Sequence, residues 1–122
     1  ADYENAQNAL IEERFADSLI LFERFLENYP DSPLSASVII ARGNAYEGLG
    51  EIKKAARAYL NSFSLYEDSP VAPEALTLLG NALVSLGQTD AGCQTLAQVL
   101  MRFPDSDFSL EAKKMMSELQ CP

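Results

Sequence analysis

From Ala36 to Leu49, apolar and small residues recur three and four positions apart, the spacing of an amphipathic helix. Gly50 then supplies the left-handed residue that closes a helix, a conformation glycine adopts at little cost. A second helix is predicted from about Glu51 to Tyr66, with Ala55, Ala56, Tyr59, Leu60 and Phe63 on its buried face. The same pattern returns with helices near 71–86 and 88–103. Sliding the chain by 37 residues lays Gly43-Asn44-Ala45 on Gly80-Asn81-Ala82 and Gly50 on Gly87. Shifted backward, Ala6 takes the place of Gly43, and Phe22, Tyr59 and Leu96 form one series. Two helices per unit at a period in the thirties predict a helical solenoid. The first unit departs from the others, because Glu13 stands where they have glycine. A strained or differently shaped first turn is therefore expected, and Glu13→Gly should raise stability if Glu13 has positive φ. A last helix, about Asp107 to Leu119, has no partner after it and is expected to cap the stack.

The joints between units also repeat: "YPDSP" at Tyr29–Pro33, "YEDSP" at Tyr66–Pro70 and "FPDS" at Phe103–Ser106. Tyr29 is expected to end a helix, since the residue before proline avoids the helical region and Pro30 cannot continue the hydrogen bonding. Asp31 spans the turn. Ser32 caps the next helix with Pro33 at its first position, where a missing N–H costs nothing. In the second copy Glu67 replaces the stopping proline, so that helix is expected to run on or fray. In the third copy Asp107 replaces the starting proline.

The spacing of small and aromatic residues resembles the tetratricopeptide repeat. In that pattern a small residue of the first helix meets aromatics, and a small residue of the second lets the pair approach closely. Gly43, Tyr46, Gly50, Ala55 and Tyr59 match it in the second unit, Gly80, Gly87 and Gly92 in the third, and Ala6, Phe15 and Phe22 in the first. The signature tryptophan is absent throughout. The period of 37 exceeds the family's usual 34 by three residues, and the surplus lies in the "PDSP" connection. The resemblance implies an all-α, right-handed tetratricopeptide-repeat solenoid of about seven antiparallel helices in one domain. Its units would run over about 1–32, 33–69 and 70–106, with a capping segment at 107–122.

Composition narrows the function. A chain of 122 residues with 48% hydrophobic content can bury a continuous core, and 22% charged residues argue against wholesale disorder. A net charge of -9 argues against nucleic acid and opposes docking to an anionic membrane, while suiting a basic protein partner or simple solubility. No apolar run approaches the roughly 20 residues of a membrane span. The chain has no signal peptide and starts at Ala1 rather than Met, so it reads as an excerpt or a processed product. Histidine is absent, which removes the commonest general base and the commonest zinc ligand. Glu12-Glu13 and the Asp105/Asp107 pair sit beside turns as solvated carboxylates, Met115-Met116 suit packing of the last helix, and no phosphate-binding loop appears. No catalytic residue, metal site or cofactor is expected, only a non-enzymatic interaction module.

In a stack of this kind the first helix of each unit lines the concave side. The inward positions are Tyr3 and Gln7 in unit one, Ile40, Asn44 and Glu47 in unit two, and Thr77, Asn81 and Ser85 in unit three. Asn44 and Asn81 are equivalent, and an asparagine amide offers both donor and acceptor to a ligand backbone. The alternative is that they serve nearby backbone or stay solvated. Superfamily members that clamp a C-terminal carboxylate add lysine or arginine, but Ile40 and Thr77 occupy those positions here. A groove containing Glu47 suits a neutral or basic segment. Cys93, early in its helix, and Cys121, at the end of the capping helix, are expected to face each other across an antiparallel seam. Two readings stay open: a disulfide, which needs Cα atoms within about 7 Å, or a buried free Cys93 beside an unrelated terminal thiol.

The stretch "APEALTLLGNALVSLGQTDAGCQTLAQVLMRFPDS" (Ala72–Ser106), taken with "FERFLENYPDSPLSAS" (Phe22–Ser37), resembles the C-terminal domain of the Tol-Pal system proteins called CpoB or YbgF. That resemblance implies a periplasmic protein of a Gram-negative bacterium, in which an oxidising compartment permits a Cys93–Cys121 disulfide. It implies TolA and a bifunctional peptidoglycan synthase as partners, linking peptidoglycan synthesis to envelope constriction. Family members trimerise through an N-terminal coiled coil, and this chain has no such heptads. Where they often carry aromatics in the first helix of the second repeat, this chain has "SVII" (Ser37–Ile40), so the contact chemistry is expected to differ. Two other readings are an outer-membrane assembly lipoprotein with similar repeats and a helical accessory domain of a larger enzyme.

Overall fold

The computed structural model describes residues 2–122. Seven α-helices make up its regular structure: α1 (Asp2–Ile11), α2 (Phe15–Asn28), α3 (Ser35–Gly48), α4 (Ile52–Leu65), α5 (Ala72–Ser85), α6 (Thr89–Arg102) and α7 (Asp107–Leu119). They form three helical hairpins and a last helix in an all-α, tetratricopeptide-like solenoid. Each helix packs on the next, and α1 also touches α3 while α5 touches α7. Among the described residues no helix is long and apolar enough to cross a membrane.

The 37-residue period reappears as packing. Phe22, Tyr59 and Leu96 lie at equivalent places on the second helices and are wholly buried. Opposite them stand Ala6, Gly43 and Gly80 on the first helices. A methyl group built on Gly43 would lie 2.5 Å from the Tyr59 ring, and one on Gly80 would lie 2.9 Å from Leu96. A large side chain on one helix therefore requires a small one on its neighbour, which the sequence pattern supplies. In the third hairpin Gly92 brings the backbones closer still: a methyl there would come within 3.0 Å of the Gly80 carbonyl oxygen. The buried apolar residues divide into two clusters. One joins α3 to α7 around Tyr59, Leu76 and Leu96, and a smaller one joins α1, α2 and α3 around Phe22, Phe25 and Val38.

The hairpin turns are copies of one another. Arg14 N–H donates to the Ala9 carbonyl (2.8 Å), Glu51 N–H to Tyr46 (2.9 Å) and Gln88 N–H to Leu83 (2.9 Å). This six-to-one closure needs a left-handed residue just before the donor. Gly50 (φ 77°) and Gly87 (φ 82°) provide it, and Glu13 is held at φ 62° in the first turn, which is therefore strained but not differently shaped. Gln120 (φ 58°) ends α7 the same way, with Cys121 N–H bonded to the Met116 carbonyl at 2.9 Å. That turn brings Cys121 back to α6, where it forms a disulfide with Cys93 across a Cα separation of 5.6 Å.

Three local expectations need correction. α4 stops at Leu65 despite Glu67, because Tyr66 adopts the same exit geometry (φ -134°, ψ 54°) as Tyr29 (φ -132°, ψ 63°) and Phe103 (φ -132°, ψ 55°). Glu67 is instead paired with Arg102 at 3.0 Å, and that guanidinium lies 4.9 Å from the centre of the Phe63 ring. Ser32 does not cap a helix directly. Its Oγ accepts from Leu34 N–H at 3.0 Å, its carbonyl accepts from Ser35 N–H, and this short turn over Pro33 and Leu34 precedes α3. Ser69 acts likewise before α5, whereas Ser106 caps α7 itself, accepting from Phe108 N–H at 3.1 Å. Leu60 is 46% exposed. At about 100° per residue it is rotated beyond the arc holding Ala55, Ala56, Tyr59 and Phe63. Ala58 and Ser62 fill the other edge of that arc, with Ser62 Oγ donating to the Ala36 carbonyl at 2.9 Å.

Candidate interaction surface

The eight positions assigned to the first helices do not share one environment. Tyr3 and Gln7 are half-buried and satisfy each other, Gln7 Nε2 donating to the Tyr3 hydroxyl at 2.7 Å, while the Tyr3 ring rests on Phe25. Ile40 is 4% and Thr77 2% exposed, so neither faces a groove. Ile40 belongs to the larger core cluster, and Thr77 Oγ1 donates to the Pro73 carbonyl one turn back, at 2.8 Å, which satisfies its hydroxyl inside its own helix. Asn44 and Glu47 on α3 remain half-exposed, and Asn81 and Ser85 on α5 are exposed.

Asn44 and Asn81 occupy one repeat position yet differ in chemistry. Tyr59 reaches up from the core and donates its hydroxyl to Asn44 Oδ1 at 2.7 Å. The residue equivalent to Tyr59 in the third unit is Leu96, which has nothing to donate, so Asn81 keeps its amide free for solvent or a ligand. Burial pushes the Tyr59 hydroxyl far above its ordinary pKa, and the nearby negative charges of Glu47 and then Glu74 add to that shift. Glu47 is itself raised by burial, partly offset by its interaction with the Tyr59 hydroxyl. Glu74 is raised by burial and then by repulsion from Glu111. Glu47 and Glu74 thus act on one buried hydroxyl, and Glu74 is in turn opposed by Glu111.

The profile of the tetratricopeptide repeat family matches residues 74–106, which cover most of α5, all of α6 and the joint that follows. Residues 74–106 form a tetratricopeptide repeat. No curated protein matches the chain. Tetratricopeptide repeats are in general non-catalytic protein-interaction modules, so the partner class this one implies is protein.

The repeat frame also explains what was missed. Glu74 and Glu111 are 37 residues apart, and Ser37 is their counterpart in the second unit. One helical turn before Thr77 on the same strip leads to Glu74. The period therefore carried the signal for an acidic band. Such a band accepts hydrogen bonds and attracts cationic groups, and among the described residues no cluster of three or more His, Cys, Asp or Glu could hold a metal ion.

Proposed function

We propose that the first-helix layer takes a neutral or basic segment of a protein partner. The observation that carries this reading is the pair of carboxylates Glu47 and Glu74, both partly withdrawn from water and both acting on the Tyr59 hydroxyl, on the same two helices as the exposed amide of Asn81 and hydroxyl of Ser85. Carboxylates held partly out of water favour a cation that restores their ionised form. The exposed polar groups supply backbone hydrogen bonds.

In the finer reading this is a non-enzymatic module of the periplasmic Tol-Pal system, coordinating peptidoglycan synthesis with outer-membrane constriction during division. Its partners would be TolA and a peptidoglycan synthase. That reading rests on the resemblance of Phe22–Ser37 and Ala72–Ser106 to the CpoB/YbgF proteins, and the Cys93–Cys121 disulfide suits an oxidising compartment. Calorimetric titration with the periplasmic part of TolA tests both levels. Binding is expected, weakening with salt and at least tenfold in a Glu47→Gln/Glu74→Gln/Asn81→Ala variant. Failure of TolA to bind the unmodified protein overturns the Tol-Pal assignment. Unchanged affinity in the variant overturns the placement on α3 and α5. Asn44→Ala is unsuited to this test, because it strips the Tyr59 hydroxyl of its acceptor.

A further inference from the structure

A separate cleft of about 190 Å3 opens between α3 and α4, lined by Arg42, Tyr46, Lys54, Arg57, Ala58 and Asn61. The chain has nine lysines and arginines against eighteen acidic residues, and three of those nine meet here. They are poorly neutralised. Lys54 pairs with Glu51 at 3.2 Å in solvent, and among the described residues neither Arg42 nor Arg57 is in an ion pair. Arg42 Nε is buried and has no hydrogen-bond acceptor. An enclosed donor left unpaired costs about 1–3 kcal/mol, and more when charged, so such groups are rare in folded chains.

The third unit shows that folding does not call for this arrangement. The counterpart of Arg42 is the buried Leu79, and those of Lys54 and Arg57 are Ala91 and Gln94. The same hairpin is built there without a single charge at the three positions. The cleft is also distinct from the acidic band: Arg42 and Asn44 are two residues apart on α3, about 200° around the helix.

We infer that the Arg42 cleft binds a carboxylate of an acidic protein segment, with the guanidinium of Arg42 donating to it and Lys54 and Arg57 flanking the charge. Charge-assisted bonds from a guanidinium to a carboxylate are among the strongest available to a surface site. Size limits the ligand. At ~30 Å3 of liquid volume per water the cleft holds about six waters, which suits a carboxylate side chain or chain end and falls below the roughly 300 Å3 at which small-molecule pockets begin.

Amide NMR spectra of the whole chain titrated with N-acetyl-tetraglutamate, as the free acid and as its C-terminal amide, test the inference. Shifts are expected at Tyr46, Ala58 and Asn61. Equal response to both peptides assigns a side-chain carboxylate, and response to the free acid alone assigns a chain end. Arg42→Leu, which installs the residue of the third unit, is expected to weaken binding at least tenfold without lowering the melting temperature. Arg57→Gln, at an exposed position, is expected to weaken it as well, and Lys113→Gln on α7 to leave it unchanged. Absence of shifts at the cleft overturns the inference. So does retention of binding in Arg42→Leu and Arg57→Gln, or an equal loss in Lys113→Gln, which would mark bulk screening alone.

Discussion

Positions 13, 50 and 87 close the same turn in three successive units, at φ 62°, 77° and 82°. Two are glycine and one is glutamate, so the molecule contains its own controlled comparison. A side chain in the left-handed region costs about 1–2 kcal/mol relative to the right-handed one. Glycine returns about 0.4–1 kcal/mol of that advantage, because its unfolded chain is freer. The balance predicts that Glu13→Gly stabilises the fold by about 0.5–1 kcal/mol. Little else is lost with the side chain: Glu13 is exposed, and the ion pairs of this turn join Arg14 to Glu12 and Asp17. The reciprocal changes, Gly50→Ala and Gly87→Ala, meet no atom within 4 Å, so their penalty is the backbone's alone. Each is expected to lose about 0.5–1 kcal/mol. For a chain of 122 residues this corresponds to about 2–4 °C in melting temperature, upward for Glu13→Gly and downward for the alanines. Urea unfolding followed by circular dichroism, with an unchanged slope, measures it directly. If Glu13→Gly fails to gain stability while both alanine variants lose it, backbone strain at Glu13 is not the governing cost.

Other consequences follow from the packing and the charges. The Cys93–Cys121 bridge spans a sequence separation of 28, worth about 3–4 kcal/mol in the chain-entropy treatment, so Cys121→Ser or added reductant should lower the melting point sharply. Mass spectrometry of the oxidised protein should find it two hydrogens lighter than the reduced form, and unreacted thiols there would refute the bridge. Gly43→Ala drives a methyl against the Tyr59 ring and should cost about 1–3 kcal/mol in urea unfolding. Glu47 and Glu74 hold their protons more tightly folded than unfolded, so the folded state binds more protons over the range just above the usual 4.5. Their contribution to stability is fully present below that value and declines as pH rises through the folded-state pKa values. Glu47→Gln/Glu74→Gln should flatten this decline in unfolding free energies compared from about pH 4 to about pH 7, and parallel curves for the two proteins would contradict it.

The helices, their turns and the strained Glu13 were legible because each follows from a rule confined to one hairpin. Small faces large at Gly43 and Tyr59, and a left-handed residue precedes the returning N–H at Gly50. The surface was legible only in part. Thr77 looks like an inward-facing polar residue, but its hydroxyl is taken by Pro73 and its side chain by the core. Asn44 and Asn81 read as twins until Tyr59 and Leu96 are placed beneath them, one able to donate and one not. Glu67 in place of proline predicts that α4 runs on or frays, but Tyr66 turns the chain out as Tyr29 and Phe103 do, and Glu67 pairs with Arg102, 35 residues away.

By itself, then, the sequence determined the period, the seven helices, the left-handed turns and the complementarity of small and large residues in each hairpin. Those features depend on neighbours within a few turns of chain. Tertiary structure alone decided that Ile40 and Thr77 are enclosed, that Glu47 and Glu74 both act on the Tyr59 hydroxyl while Glu111 opposes Glu74, and that the Nε of Arg42 is shut away without an acceptor. Desolvation and Coulomb interaction are set by whichever atoms surround a group, and here those atoms arrive from helices far apart in the sequence.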